Sequence, residues 1–70
     1  MRTNEMLTGV SNSIRLHIHE EPNMKSMVIC KVRYLTDLLV DPEESTEDFY
    51  KVFTATGVEG FCEKEFVTLR

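Results

Sequence analysis

The sequence predicts an all-β fold, a small antiparallel β-barrel of five to six short strands. Three observations carry this expectation. Apolar and polar residues alternate over 14–19, β-branched runs too short for a helix recur along the chain, and Thr56-Gly57 lies between two such runs as a hairpin turn. Short strands at this spacing, with hardly any helical pattern, close most naturally into a barrel.

Residues 1–8 are expected as an amino-terminal lead and residues 9–70 as one domain. In the strand over 14–19, Ile14, Leu16 and Ile18 point inward while Arg15, His17 and His19 face solvent. A second strand covers 27–32, where Val28, Ile29 and Val32 favour extended backbone. The third covers 36–40, with Leu38 and Val40 inward and Leu39 on the opposite face, and Asp41-Pro42 ends it because proline cannot continue a paired strand. Residues 41–48 read as a loop with one helical turn begun by Pro42; the carboxylates of Asp41, Glu43, Glu44, Glu47 and Asp48 are too close together to bury. Strands over 49–55, 58–62 and 66–69 complete the set.

A chain of 70 residues supports one domain with one modest core, without room for a separate catalytic domain. The net charge of −4 and the lack of a Lys/Arg cluster along the chain argue against nucleic acid, whose phosphates call for a concentrated basic surface. No apolar run approaches the roughly 18 residues that span a bilayer, so no membrane partner is expected. Met1-Arg2-Thr3-Asn4-Glu5 has neither the apolar stretch nor the cleavage site of a secretory signal, which predicts a cytoplasmic protein unless a lysis or phage-type route releases it. Cys30 and Cys62 form no Cys-x-x-Cys pair; in a reducing compartment both are expected as buried free thiols, although two strands of one barrel could bring them together as a bridge.

Catalytic chemistry finds little support. Neither cysteine has a basic neighbourhood that would lower its pKa, no nucleophile elbow is present, and the adjacent carboxylates of Glu20-Glu21 and Glu43-Glu44 diverge on a strand rather than flank one bond. His17 and His19, two residues apart, could present three metal ligands together with Glu20 or Glu21. A solvated strand face is the preferred reading, because no fourth ligand is evident. Neither a metal nor a cofactor is expected, and these four residues remain a secondary face for binding. The acidic loop reads either as a solvated segment that favours solubility or as a patch that steers basic partners.

The closing half of the chain resembles a bacterial SH3 domain. Its aromatic pair Phe49-Tyr50, then Lys51-Val52, then Gly57-Val58-Glu59-Gly60-Phe61, follow that family's order, and the likeness extends over about residues 9–69. At the family's opening motif stands Leu16-His17-Ile18-His19-Glu20-Glu21-Pro22, which keeps the apolar pair and the proline but lacks the usual Asn, Arg and small residues. Leu35 stands where the family usually has a glycine. The resemblance implies an SH3-like barrel and a binding module rather than an enzyme. By comparison with peptide-binding SH3 domains, Phe49 corresponds to a groove tryptophan, Phe66 to a groove tyrosine and Glu63 to a groove proline, with Tyr50 alongside. The carboxylate at Glu63 and the missing hydroxyl at Phe66 disfavour polyproline recognition. Both phenylalanines can equally be core residues. The expectation is a non-catalytic module for a protein or peptide, of the stand-alone kind associated with Gram-positive bacteria and their prophages. The alternative is a cell-wall module for peptidoglycan cross-bridges. Partner identity and oligomeric state stay open.

Overall fold

Alternation of apolar and polar residues puts Leu16 and Ile18 of one strand, and Leu38 and Val40 of another, on a common buried face, where Val52, Cys62 and Val67 join them. Each such aliphatic side chain contributes about 1.5–3 kcal/mol when fully removed from water. The structure is a computed structural model that describes residues 5–70. The first four residues of the expected lead lie outside the described residues.

The elements in order are β1 (Leu7–Ser11), β2 (Arg15–His19), β3 (Val28–Arg33), β4 (Asp37–Asp41), β5 (Phe49–Phe53), β6 (Glu59–Glu63), a 3-10 turn over Lys64–Phe66, and β7 (Val67–Leu69). All strand pairings are antiparallel, and the strands form one sheet in the order β3-β2-β6-β5-β4-β1-β7. The fold is therefore all-β. Among the described residues no helix is long and apolar enough to cross a membrane.

Two expectations are corrected here. Among the described residues there are seven strands rather than five or six, because β1 begins at Leu7, inside the segment expected as a lead, and pairs with both β4 and β7. Gly9 and Ser11 make this segment a poor strand on propensity; its pairing with two neighbours overrides that. Nor do hydrogen bonds among the described residues close the sheet into a barrel, since β3 and β7 end its strand order. The sheet coils around its core instead: Leu16 from β2 and Val67 from β7, near opposite ends of the strand order, belong to the same buried cluster.

The strand over 14–19 is corrected at both ends. Ile14 precedes β2 and is 86% exposed, whereas His19, expected in solvent, is 3% exposed. A register irregularity between Ile18 and His19 breaks the two-residue period, so two successive side chains are buried. The hairpin turn at Thr56-Gly57 forms as expected: Gly57 has φ 91°, and its N–H reaches the Thr54 carbonyl at 3.1 Å. Residues 42–44 form a single turn after β4, and no helix grows from it. Asp41, expected in the exposed loop, is instead the last residue of β4, stands opposite Lys51 and is buried.

Candidate functional site

Where two strands part, a sheet leaves a gap. β2 and β6 pair at one position only, His19 opposite Phe61, although β6 runs on to Glu63 beside β5. Away from that junction β2 has, among the described residues, only β3 as a paired neighbour. A cavity of about 210 Å³ opens there, lined on one side by Arg15, Leu16, His17 and His19 and on the other by Glu63 and Phe66. A second cavity, of about 410 Å³, lies against Asp48, Phe49, Glu63, Lys64 and Glu65. Met24 and Glu63 line both, so the two cavities adjoin at these side chains and are treated together as the cleft.

Local chemistry sets each wall. Phe49 and Glu63 are register partners across β5 and β6, and the Lys64 N–H donates to the Asp48 carbonyl at 3.0 Å, which ties the 3-10 turn to the start of β5. The Phe49 ring meets the His19 ring edge-on, with centroids 6.2 Å apart and an interplanar angle of 87°. His19 Nδ1–H donates to the Ser26 carbonyl at 3.0 Å, and the Ser26 hydroxyl accepts the Glu21 N–H at 2.8 Å. Lys25 N–H caps on the Asn23 carboxamide at 2.9 Å. These bonds fold the β2–β3 connection back on itself and set Met24, 60% exposed, over the cleft. Burying His19 is thus part of how the cleft acquires its cover.

Phe49 is 6% exposed, so it forms a floor rather than an open groove wall. Phe66 is half-buried and packs on the core from the other cavity, and Glu63 stands between the two phenylalanines. Tyr50 turns to the core side of β5, opposite Cys62, with the Lys64 ammonium 5.2 Å from its ring centroid. His17 is exposed while His19 is buried, which corrects the shared solvated face expected of them. Both still line the smaller cavity. Glu20 and Glu21 lie on the exposed connection after β2. Among the described residues no group of three or more His, Cys, Asp or Glu side chains is placed to hold a metal ion.

The acidic loop is internally organised. The Asp41 carboxylate accepts the Glu43 N–H at 3.0 Å, the Ser45 hydroxyl donates to the Asp41 carbonyl at 2.8 Å, and Ser45 Oγ in turn accepts the Lys51 N–H at 3.0 Å. Lys51 Nζ lies 3.9 Å from Glu44 and 3.4 Å from Glu59, and 4.9 Å from the centroid of Phe61. Glu47 and Asp48 are exposed beyond this anchor. Both cysteines are free thiols; Cys62 is fully buried, while Cys30 on β3 is only half-buried, a correction to the expectation for the pair.

Two features were not legible along the chain. Met24 lies in a polar stretch between Asn23 and Lys25, and only that isolation hinted at it. The other is a basic surface: register sets Arg15 opposite Arg33 and His17 opposite Lys31. Sequence separation hides this cluster, and only the pairing of β2 with β3 assembles it. Neither a protein-family model nor a curated protein matches this chain.

Proposed function

We propose that this chain is a non-catalytic binding module with an SH3-like fold, and that its cleft receives a short protein or peptide segment. The observation that carries this reading is the cleft at the β2–β6 gap. It combines apolar surface from Met24, Phe66 and the edge of Phe49 with a few convergent polar groups, Glu63 and His17 among them, which is the usual make-up of a recognition site. Leu35 adds support for the SH3-like part of the reading: it has φ 62°, a backbone conformation that favours the glycine expected there in the bacterial SH3 family.

The test uses Met24→Ala and Phe66→Ala, because both side chains line the cleft and neither is fully buried. Leu39→Ala, on an exposed face of β4 beside a separate apolar cavity, serves as the control. Tagged protein is incubated in parallel with clarified lysate and with purified cell-wall sacculi. Retention of a discrete protein from lysate, lost in both cleft variants and kept in Leu39→Ala, is the expected result. Retention on sacculi alone would move the ligand to peptidoglycan cross-bridges, and retention indifferent to both cleft variants would remove the cleft from the proposal.

A further inference from the structure

The outward face of the β2–β3 hairpin carries positive charge that the fold does not use. Residues directly opposite each other in an antiparallel pair project from the same face with Cβ atoms about 5 Å apart, and like charges in that relation are destabilising. Arg15 with Arg33 is such a pair, and His17 with Lys31 adds a cation beside a titratable ring. All four side chains are exposed. Among the described residues the ion pairs involve Lys51 and Arg70, and none involves Arg15, Lys31 or Arg33. A chain of net charge −4 has carboxylates to spare, yet among the described residues none forms an ion pair with this cluster, and Glu63 meets Arg15 and His17 only across the smaller cavity.

The cluster borders an open edge. Among the described residues β3 ends the strand order, spans six residues without proline, and pairs with β2 alone. Alternate residues of such a strand direct N–H and C=O groups away from their one partner. A lysine on an edge strand commonly repels unwanted pairing, and Lys31 alone could serve that purpose. Arg15 and His17 cannot, since they stand one strand further in.

We propose that the β3 edge accepts an extended acidic polypeptide segment as an added strand, with its carboxylates over Lys31 and Arg33 and within the field of Arg15 and His17. An added strand lies about 4.8 Å from β3 and twice that from β2, within reach of glutamate and arginine side chains. A second copy of this chain fits poorly, because two-fold pairing of β3 with itself sets the same cations against each other. A nucleic acid would meet the charge but has no peptide ladder to complete the edge. Lys31 and Arg33 line neither cavity of the cleft, whereas Arg15 and His17 also line the smaller one, so variants of Lys31 and Arg33 test this assignment separately from the Met24 and Phe66 variants.

The test measures fluorescence anisotropy of a labelled dodecapeptide of alternating Thr and Glu, which presents every carboxylate on one strand face. It is compared with alternating Thr-Lys, with a Thr-Glu peptide in which prolines replace alternate threonines, and with a single-stranded DNA dodecamer. The expected result is binding of the Thr-Glu peptide at least about tenfold tighter than of all three comparators, a difference of about 1.4 kcal/mol. Amide exchange should slow at Val28–Arg33 in the complex. The Lys31→Glu/Arg33→Glu double variant should lose at least about tenfold in affinity, and Lys31→Gln/Arg33→Gln should lose less. Equal binding of the proline peptide overturns strand addition. Tighter binding of DNA, self-association that occupies β3, or no binding of the Thr-Glu peptide overturns the proposal.

Discussion

Ser11 holds Leu35 in a left-handed conformation. The Leu35 N–H donates to the Ser11 carbonyl at 2.9 Å, and Leu35 has φ 62°, the one positive value among the described non-glycine residues. Ser11 is fully buried; its hydroxyl donates to the Arg33 carbonyl and accepts the Thr36 N–H at 2.9 Å, while its own N–H donates to Thr36 at 3.0 Å. One serine of β1 therefore satisfies most of the tight turn between β3 and β4.

A leucine in this conformation costs roughly 1–2 kcal/mol through its Cβ, and its side chain, 57% exposed, recovers little of that by burial. Leu35→Gly relieves the strain but loosens the unfolded chain, so a net stabilisation of about 0.5–1 kcal/mol is expected from urea midpoints. Ser11→Ala leaves the Thr36 N–H without its side-chain acceptor and should cost about 1–3 kcal/mol.

Arg33→Glu converts a like-charge pair into an opposite one without disturbing the core, because both Arg15 and Arg33 are exposed. Stability should rise by about 0.2–1 kcal/mol at low salt and return toward the parent value at high salt. The same variant should weaken acidic-peptide binding. A stability gain paired with a binding loss is the signature expected of charge placed for a partner. No gain at low salt would mean that the two guanidinium groups already avoid each other.

Alternation was enough to find most of the sheet, and β2 and β4 show why: Leu16, Ile18, Leu38 and Val40 are all buried at two-residue spacing. Where a non-local contact decides the outcome, the period misleads. His19 turns inward at an irregularity that no local pattern announces, and β1 is a strand because β4 and β7 flank it, not because Leu-Thr-Gly-Val-Ser favours one. Of the cleft, the resemblance pointed to Phe49, Glu63 and Phe66. Met24 stayed hidden because its position depends on the bond from His19 to Ser26.

Burial pushes the Cys62 thiol from an ordinary 9.0 up to about 12, and the Glu63 carboxylate adds in the same direction. The unfolded thiol therefore loses its proton first as pH rises, while the folded one keeps it. Its contribution to stability is complete below pH 9.0 and is lost progressively as pH climbs toward about 12, with a slope of at most about 1.4 kcal/mol per pH unit. The comparison is with Cys62→Ala, whose stability should fall less steeply over that window. A thiol reagent near neutral pH should modify the half-buried Cys30 first and reach Cys62 only on unfolding.

Gly60 permits the single join between β2 and β6. A Cβ at this position would lie 2.6 Å from the His19 carbonyl oxygen, 2.6 Å from Ile18 Cγ2 and 3.1 Å from Ile29 Cδ1. The carbonyl belongs to the backbone of the same junction that pairs His19 with Phe61, so it cannot move aside without breaking the pairing. Gly60→Ala should cost about 1–3 kcal/mol by overpacking, and the damage should be local. Amide exchange should quicken at His19 and Phe61 while β4 and β5, which pair elsewhere, stay protected. Because His19 also braces Phe49 and the connection that carries Met24, ligand retention in the cleft should fall along with that protection. If Gly60→Ala matches the parent in urea midpoint and in exchange at His19, the two strands lie further apart than this close approach requires, and the cleft is not braced through their junction.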